Sequence, residues 1–256
     1  MGSSTSSWTL HPDRALPADP GTRALAREIY AATASLPIVS MHGHVDAALL
    51  AADARFGDPA ELFVVPDHYL VRMLVSQGVP HGDLGVPRRD GEPVETDPRA
   101  IWRTFCSHWH LFRGTPTRFW LEHVLAEVLG LSGPPSAENA DVLFDEISAR
   151  LDEPGMRPLA LLDRFDIEII ATTDPATATL ADHADLAARG WGERIVPTFR
   201  PDALLHLDSP SWADDVALLA KRADLPVETY RQFLRALEAR RAAFIAAGAR
   251  ATDHGH

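Results

Sequence analysis

The stretch LPIVSMHGHV, residues 36–45, decides how the chain folds. Pro37 enters it, Ile38 and Val39 form its apolar centre, and Met41 to Val45 close it. Proline is tolerated near the start of a strand because it need not donate to the ladder there. The stretch reads as a short buried strand that delivers His42-Gly43-His44 at its C-terminal end. Residues i and i+2 of a strand share a face, so both imidazoles can reach one ion, and Gly43 leaves room for close backbone approach. Such a pair is only moderately specific, and a chance pair is its plain alternative. A catalytic zinc also wants about three protein ligands, so two histidines do not complete a site.

Working outward, a first helix is expected over 22–35, where Leu25, Ile29 and Tyr30 share a face. From 46 to 163 the pattern is helical, with candidate helices at 66–77, 98–112, 116–129 and 137–151, the last capped by Ser136. The loops at 81–98 and 132–135 are rich in glycine and proline. Beyond 163 the texture changes. FDIEIIATT (165–173) is a β-branched run, and Asp174-Pro175 is expected to open a helix reaching about Arg189. RIVPTF (194–199) is a further strand ending at Arg200-Pro201-Asp202. A long helical stretch follows from about Pro210 to Ala247, broken near Pro226, and then a last strand-like segment ends at Asp253-His254. Strands alternating with helices imply an α/β fold with a parallel sheet of about four strands. Polar residues gather where each strand ends, which is where such folds build their sites. The expected organisation is a disordered leader over 1–20, a partial barrel over 21–45 and 164–256, and a helical insertion over 46–163.

The 256 residues would suffice for a whole eight-stranded α/β barrel, usually about 250 residues. The 36 acids against 24 bases give a net charge of −12, which argues against nucleic acid or an anionic membrane as partner. One cysteine, Cys106, excludes an internal disulfide and fits a reducing cytoplasm. No apolar run reaches the roughly 18 residues of a membrane span, and the first residues lack a secretory signal pattern. Every base except Lys221 is arginine, so a single arginine says little about function.

Besides the histidine pair, Asp67-His68-Tyr69 with Arg72 lies on a helix where three- and four-residue spacings let His68, Tyr69 and Arg72 converge on one ligand. A solvated helix face is the equal alternative. Arg200 could hold a carboxylate through paired N–H donors, or simply make a surface ion pair. His254 is a candidate ligand or proton carrier, or part of a frayed end. His108, Trp109, His110, Trp120 and His123 are expected in the core, and Cys106 as a small buried hydrophobe.

Five motifs in order, the strand ending His42-Gly43-His44, DHYLVR (67–72), ATTDP (171–175), FRPD (199–202) and TDHG (252–255), resemble uronate isomerase. That family belongs to the amidohydrolase superfamily of metal-binding (β/α)₈ barrels. The resemblance implies interconversion of an aldehyde hexuronate, glucuronate or galacturonate, with the corresponding ketose acid. Residue by residue, it implies a divalent metal, expected to be zinc, on His42 and His44. It also implies a hexuronate among His68, Tyr69, Arg72 and Arg200, with His254 as a catalytic group on a later strand. Family members are substantially longer, and the resemblance covers their N-terminal part, without the later strands, the aspartate that completes the metal site or a further arginine. The implied fold is an incomplete TIM-like barrel with a large helical insertion, and activity of this chain alone is expected to be lost or impaired. Two alternatives stay open. One is a non-catalytic fragment or subunit needing an oligomeric or complementing chain, and the other is a metal-dependent hydrolase of the same superfamily.

Overall fold

In a computed structural model of the chain, which describes residues 8–255, all strand pairing is parallel. The elements run α1 (Pro20–Thr33), β1 (Ile38–Ser40), α2 (Ala47–Ala52), α3 (Pro59–Phe63), α4 (His68–Ser76), α5 (Pro98–Ser107), α6 (Pro116–His123) and α7 (Ala140–Leu151). They continue α8 (Pro158–Arg164), β2 (Ile167–Ala171), β3 (Asp174–Pro175), α9 (Ala181–Ala188), β4 (Ile195–Val196), β5 (Phe199–Arg200), α10 (Asp202–Leu205), α11 (Trp212–Ala223) and α12 (Tyr230–Ala246). The chain divides into two units, one running to Ser35 and resuming over Arg55–Arg157, the other Leu36–Ala54 with the residues from Pro158 on. So α1 belongs with the helices and α2 with the strands, unlike a division into 21–45 and 46–163.

The helical unit is built on α5. Asp97 caps it by accepting from the Arg99 N–H, and Pro98 occupies its first turn, where the missing N–H costs nothing. Its Trp102 and Phe105 are fully buried and stack towards Trp109 and Phe112, with neighbouring ring centroids 5.1–5.8 Å apart. Trp102 Nε1 donates to the Ala140 carbonyl at 3.0 Å, which ties α5 to α7. Of the aromatics and histidines expected in the core, Trp109 is buried, but Trp120 is 39 % exposed and His110 and His123 are exposed too. Cys106 is buried as expected. The start of α7 also differs, since Asn139 rather than Ser136 is its cap residue, and the Asn139 side chain accepts from the Ser136 N–H at 2.9 Å.

Part of the expected leader, residues 1–7, lies outside the described residues. From Trp8 onward the chain is tied down. The Trp8 N–H donates to the Leu131 carbonyl, and Arg14 reaches both the Phe119 carbonyl and Glu122. The helix over 20–33 forms two residues earlier than its pattern suggested, because Asp19 accepts from the Thr22 N–H and Pro20 opens the first turn. Its Leu25, Ile29 and Tyr30 are exposed rather than buried.

In the strand unit, β1, β2 and β4 form one sheet in that order, and β3 pairs with β5. The two pairs continue the same chain runs, 167–175 and 195–200, and Thr252 bridges Phe199 as a further parallel neighbour. Asp174-Pro175 therefore extends the β2 run and opens no helix; α9 starts at Ala181. Leu50 of α2, Leu159 and Leu162 of α8 and Leu186 of α9 pack on Ile170 and Ile195. A second cluster joins Phe199 to Leu219, Ala236 and Phe244 of α11 and α12. The buried Arg240 donates to the carbonyls of Ala176 and Ala178, holding the loop after β3. The expectation of a buried first strand is corrected. Ile38 and Val39 are about half exposed, and among the described residues β1 is an edge strand paired with β2 alone.

Candidate functional site

His42 and His44 follow β1, and their rings meet edge to face with centroids 5.0 Å apart. Both are exposed. The bridge from Thr252 to Phe199 brings Asp253 to them, with Asp253 Oδ1 4.0 Å from His42 Nδ1. One ligand atom from each of the three lies within 4.8 Å of the others. Two imidazoles and a carboxylate are the donor types of a catalytic zinc site, and their spacing suits one small divalent cation. The residues present thus fit a metal.

The other oxygen, Asp253 Oδ2, accepts from Arg200 Nη1 at 3.0 Å, while Arg200 Nε donates to Asp202 Oδ2 at 2.7 Å. Asp202 in turn accepts from the Gly255 N–H at 3.0 Å, which fastens the segment carrying Asp253. The hydrogen bond to Asp202 raises the Arg200 pKa despite some desolvation. For Asp202, burial pushes the pKa up, but the Gly255 N–H and the Arg200 guanidinium outweigh it and leave the carboxyl below its ordinary value. Arg200, expected to be open to a substrate carboxylate, already has two of its five N–H donors on Asp202 and Asp253.

The sequence points to His254 as the candidate on this segment, whereas the structure brings its neighbour Asp253 to the histidines. Alternation along the last strand segment was the available signal, since adjacent residues point to opposite faces and only one of the two can meet His42. His254 is exposed and sits beside Pro201 and Leu205, outside the three-residue cluster.

His68, Tyr69 and Arg72 belong to the helical unit, on α4, where Asp67 caps the helix through the Tyr69 and Leu70 N–H groups. The His68 and Tyr69 rings lie 4.2 Å apart, and the Arg72 guanidinium carbon stands 5.0 Å from the Tyr69 ring centre. All three side chains are exposed on the helix face.

Comparison with known proteins gives this geometry a family. The chain is 48% identical to the uronate isomerase of Rhizobium meliloti (strain 1021) over 247 residues, 96% of the chain and 53% of that protein. It is 50% identical to the uronate isomerase of Rhizorhabdus wittichii, covering 52% of it. The crystal structure of glucuronate isomerase from Caulobacter crescentus superposes with a TM-score of 0.91 at 44% identity, over 97% of this chain and 52% of that one. The uronate isomerase structure from Thermotoga maritima gives a TM-score of 0.81 at 27% identity, over 90% of this chain and 49% of that one. The chain thus spans about half the length of the curated relatives it matches. A family model described as glucuronate isomerase matches residues 21–256, nearly the whole sequence, and the chain belongs to that family.

Proposed function

We propose that this chain carries the metal-binding end of an enzyme that isomerises a hexuronate between its aldose and ketose forms, glucuronate to fructuronate or galacturonate to tagaturonate. The observation that carries the reading is the cluster of His42 and His44, just after β1, with Asp253, just after the Thr252 bridge, in a chain of this family. The reaction moves the C2 proton to C1 and the O2 hydroxyl proton to O1 through an enediol, so no external oxidant or reductant is needed. A divalent cation held by His42, His44 and Asp253, zinc by donor type, would supply polarisation of the substrate carbonyl. His254, an exposed imidazole next to Asp253, is the proposed proton carrier, since an imidazole has one ring nitrogen to accept a proton and another to donate one. Within the strand unit, Arg200 beside the metal-binding cluster supplies positive charge for the sugar carboxylate through the donors that Asp202 and Asp253 leave over.

The strand unit is read as part of a (β/α)₈ barrel, the helical unit as an insertion after its first strand, and the cytoplasm as the place of action. The exposed edge of β1 supports an incomplete barrel, since a closed one leaves no edge strand. Turnover is therefore expected to require the part of the family's length that this chain does not span, in the same polypeptide or a complementing one. Glucuronate and galacturonate isomerase assays on the 256-residue chain and on a longer product of the same gene test this. Turnover by the longer form alone supports the reading, and turnover by neither sinks it.

A further inference from the structure

Pairing between β1 and β2 ends at Ser40, opposite Ile170, so the ladder stops before His42. Beyond it, Thr173 Oγ1 donates to the Gly43 carbonyl at 2.6 Å. That carbonyl belongs to the peptide joining Gly43 to His44, so the bond grips the backbone between the two imidazoles. Gly43 approaches the β2 run closely here, since a Cβ on it would stand 3.2 Å from the Ala171 carbonyl oxygen.

The residues flanking Thr173 are held on the other side. Thr172 Oγ1 donates to Asp174 Oδ2 at 2.6 Å and lies 2.9 Å from Nε2 of the buried His183 on α9. With the hydroxyl proton committed to Asp174, the His183 Nε2–H is the donor to Thr172. Thr173 is thus a fixed hydroxyl aimed at the metal-binding segment from a braced strand end.

We propose that Thr173 is a positioning residue of the metal site, its hydroxyl setting the direction of His42 relative to His44 through the Gly43 carbonyl. The proposal rests on the assignment of His42 and His44 as ligands. Partners that orient the ligands of a metal typically change affinity by about 10–100-fold when removed.

Co2+ titration of the full chain, followed by visible absorption, and Zn2+ equilibrium dialysis test it on Thr173→Val, Thr173→Ala and Thr173→Ser. Valine and alanine remove the hydroxyl, and each is expected to weaken both metals by about 10–100-fold and to change the Co2+ spectrum. Serine keeps the hydroxyl and should restore affinity and spectrum. Circular dichroism identifies the folded variants. Wild-type affinity and spectrum in a folded valine or alanine variant would overturn the proposal, as would equal loss in serine. Collapse of both hydroxyl-free variants would assign Thr173 to folding instead, and overturn it too. His42→Ala and His44→Ala separate the two levels. If they leave metal binding intact, the ligand assignment itself fails and takes this proposal with it. If they abolish binding while Thr173→Val does not disturb it, only the positioning role fails.

Discussion

Replacing Asp253 by asparagine isolates the contribution of the third ligand. The substitution keeps the shape of the side chain and an oxygen that can still accept from Arg200 Nη1, but removes the charge facing His42. The side chains of Arg200 and Asp253 are 31% and 20% exposed, so their ion pair is partly screened and adds little to stability. The thermal midpoint is expected to move by less than about 4 °C in a chain of this size. Metal binding should respond far more. Four-ligand structural zinc sites bind with roughly 10–16 kcal/mol, or about 3–4 kcal/mol per ligand if shared evenly, which is on the order of 10²–10³-fold in affinity. Losing one of three donors should therefore weaken Zn2+ and Co2+ by about 10²–10³-fold. A competition titration against a chelator of known affinity measures this, with thermal denaturation alongside. Unchanged affinity in Asp253→Asn, beside complete loss in His42→Ala, would remove Asp253 from the site. A large fall in thermal midpoint accompanying the metal loss would instead make Asp253 a structural tether.

Two other consequences are accessible without metal. His183 is 4% exposed, and burial pushes its pKa below the ordinary 6.5, the neighbouring Asp174 and Asp182 charges only partly opposing this. The unfolded chain takes the proton first as pH falls below 6.5, so stability present above that value is lost as pH approaches the lowered folded pKa. Denaturant unfolding between pH 5 and 8 should show this slope in the wild type and a flatter one in His183→Gln, and identical slopes would contradict it. The Cys106 thiol, pushed up to about 12 by burial and secondarily by Asp141, should resist a disulfide reagent at pH 8 in the native state and react promptly in urea. Rapid stoichiometric reaction of the folded chain would show that the thiol is open to solvent.

Much of the secondary structure was legible because its signals are local. Proline at the first turn of α5 and α6 and the β-branched run of β2 act within a few residues. The misread places are those where a distant partner wins. Asp174-Pro175 looks like the start of a helix, yet it pairs with Phe199-Arg200, and the Asp174 and Ala176 N–H groups donate to the Thr198 and Arg200 carbonyls. Ile38 and Val39 look like core, yet among the described residues β1 has a neighbour on one side only. The π-helical turn over Val124–Val128 likewise interrupts what the pattern read as one helix over 116–129.

For the candidate site, the sequence by itself determined that His42 and His44 stand two apart just after a short strand, and that His68 and Tyr69 lie four and three residues before Arg72 on a helix. These placements are local and need no reference to the rest of the chain. Only the tertiary structure decided that Asp253 rather than His254 joins the histidines, that Arg200 is shared by Asp202 and Asp253, and that Thr173 holds the Gly43 carbonyl. These contacts depend on which strand lies beside which and in what register. In a parallel sheet that pairing joins segments far apart in the chain, whose shared geometry no local pattern encodes.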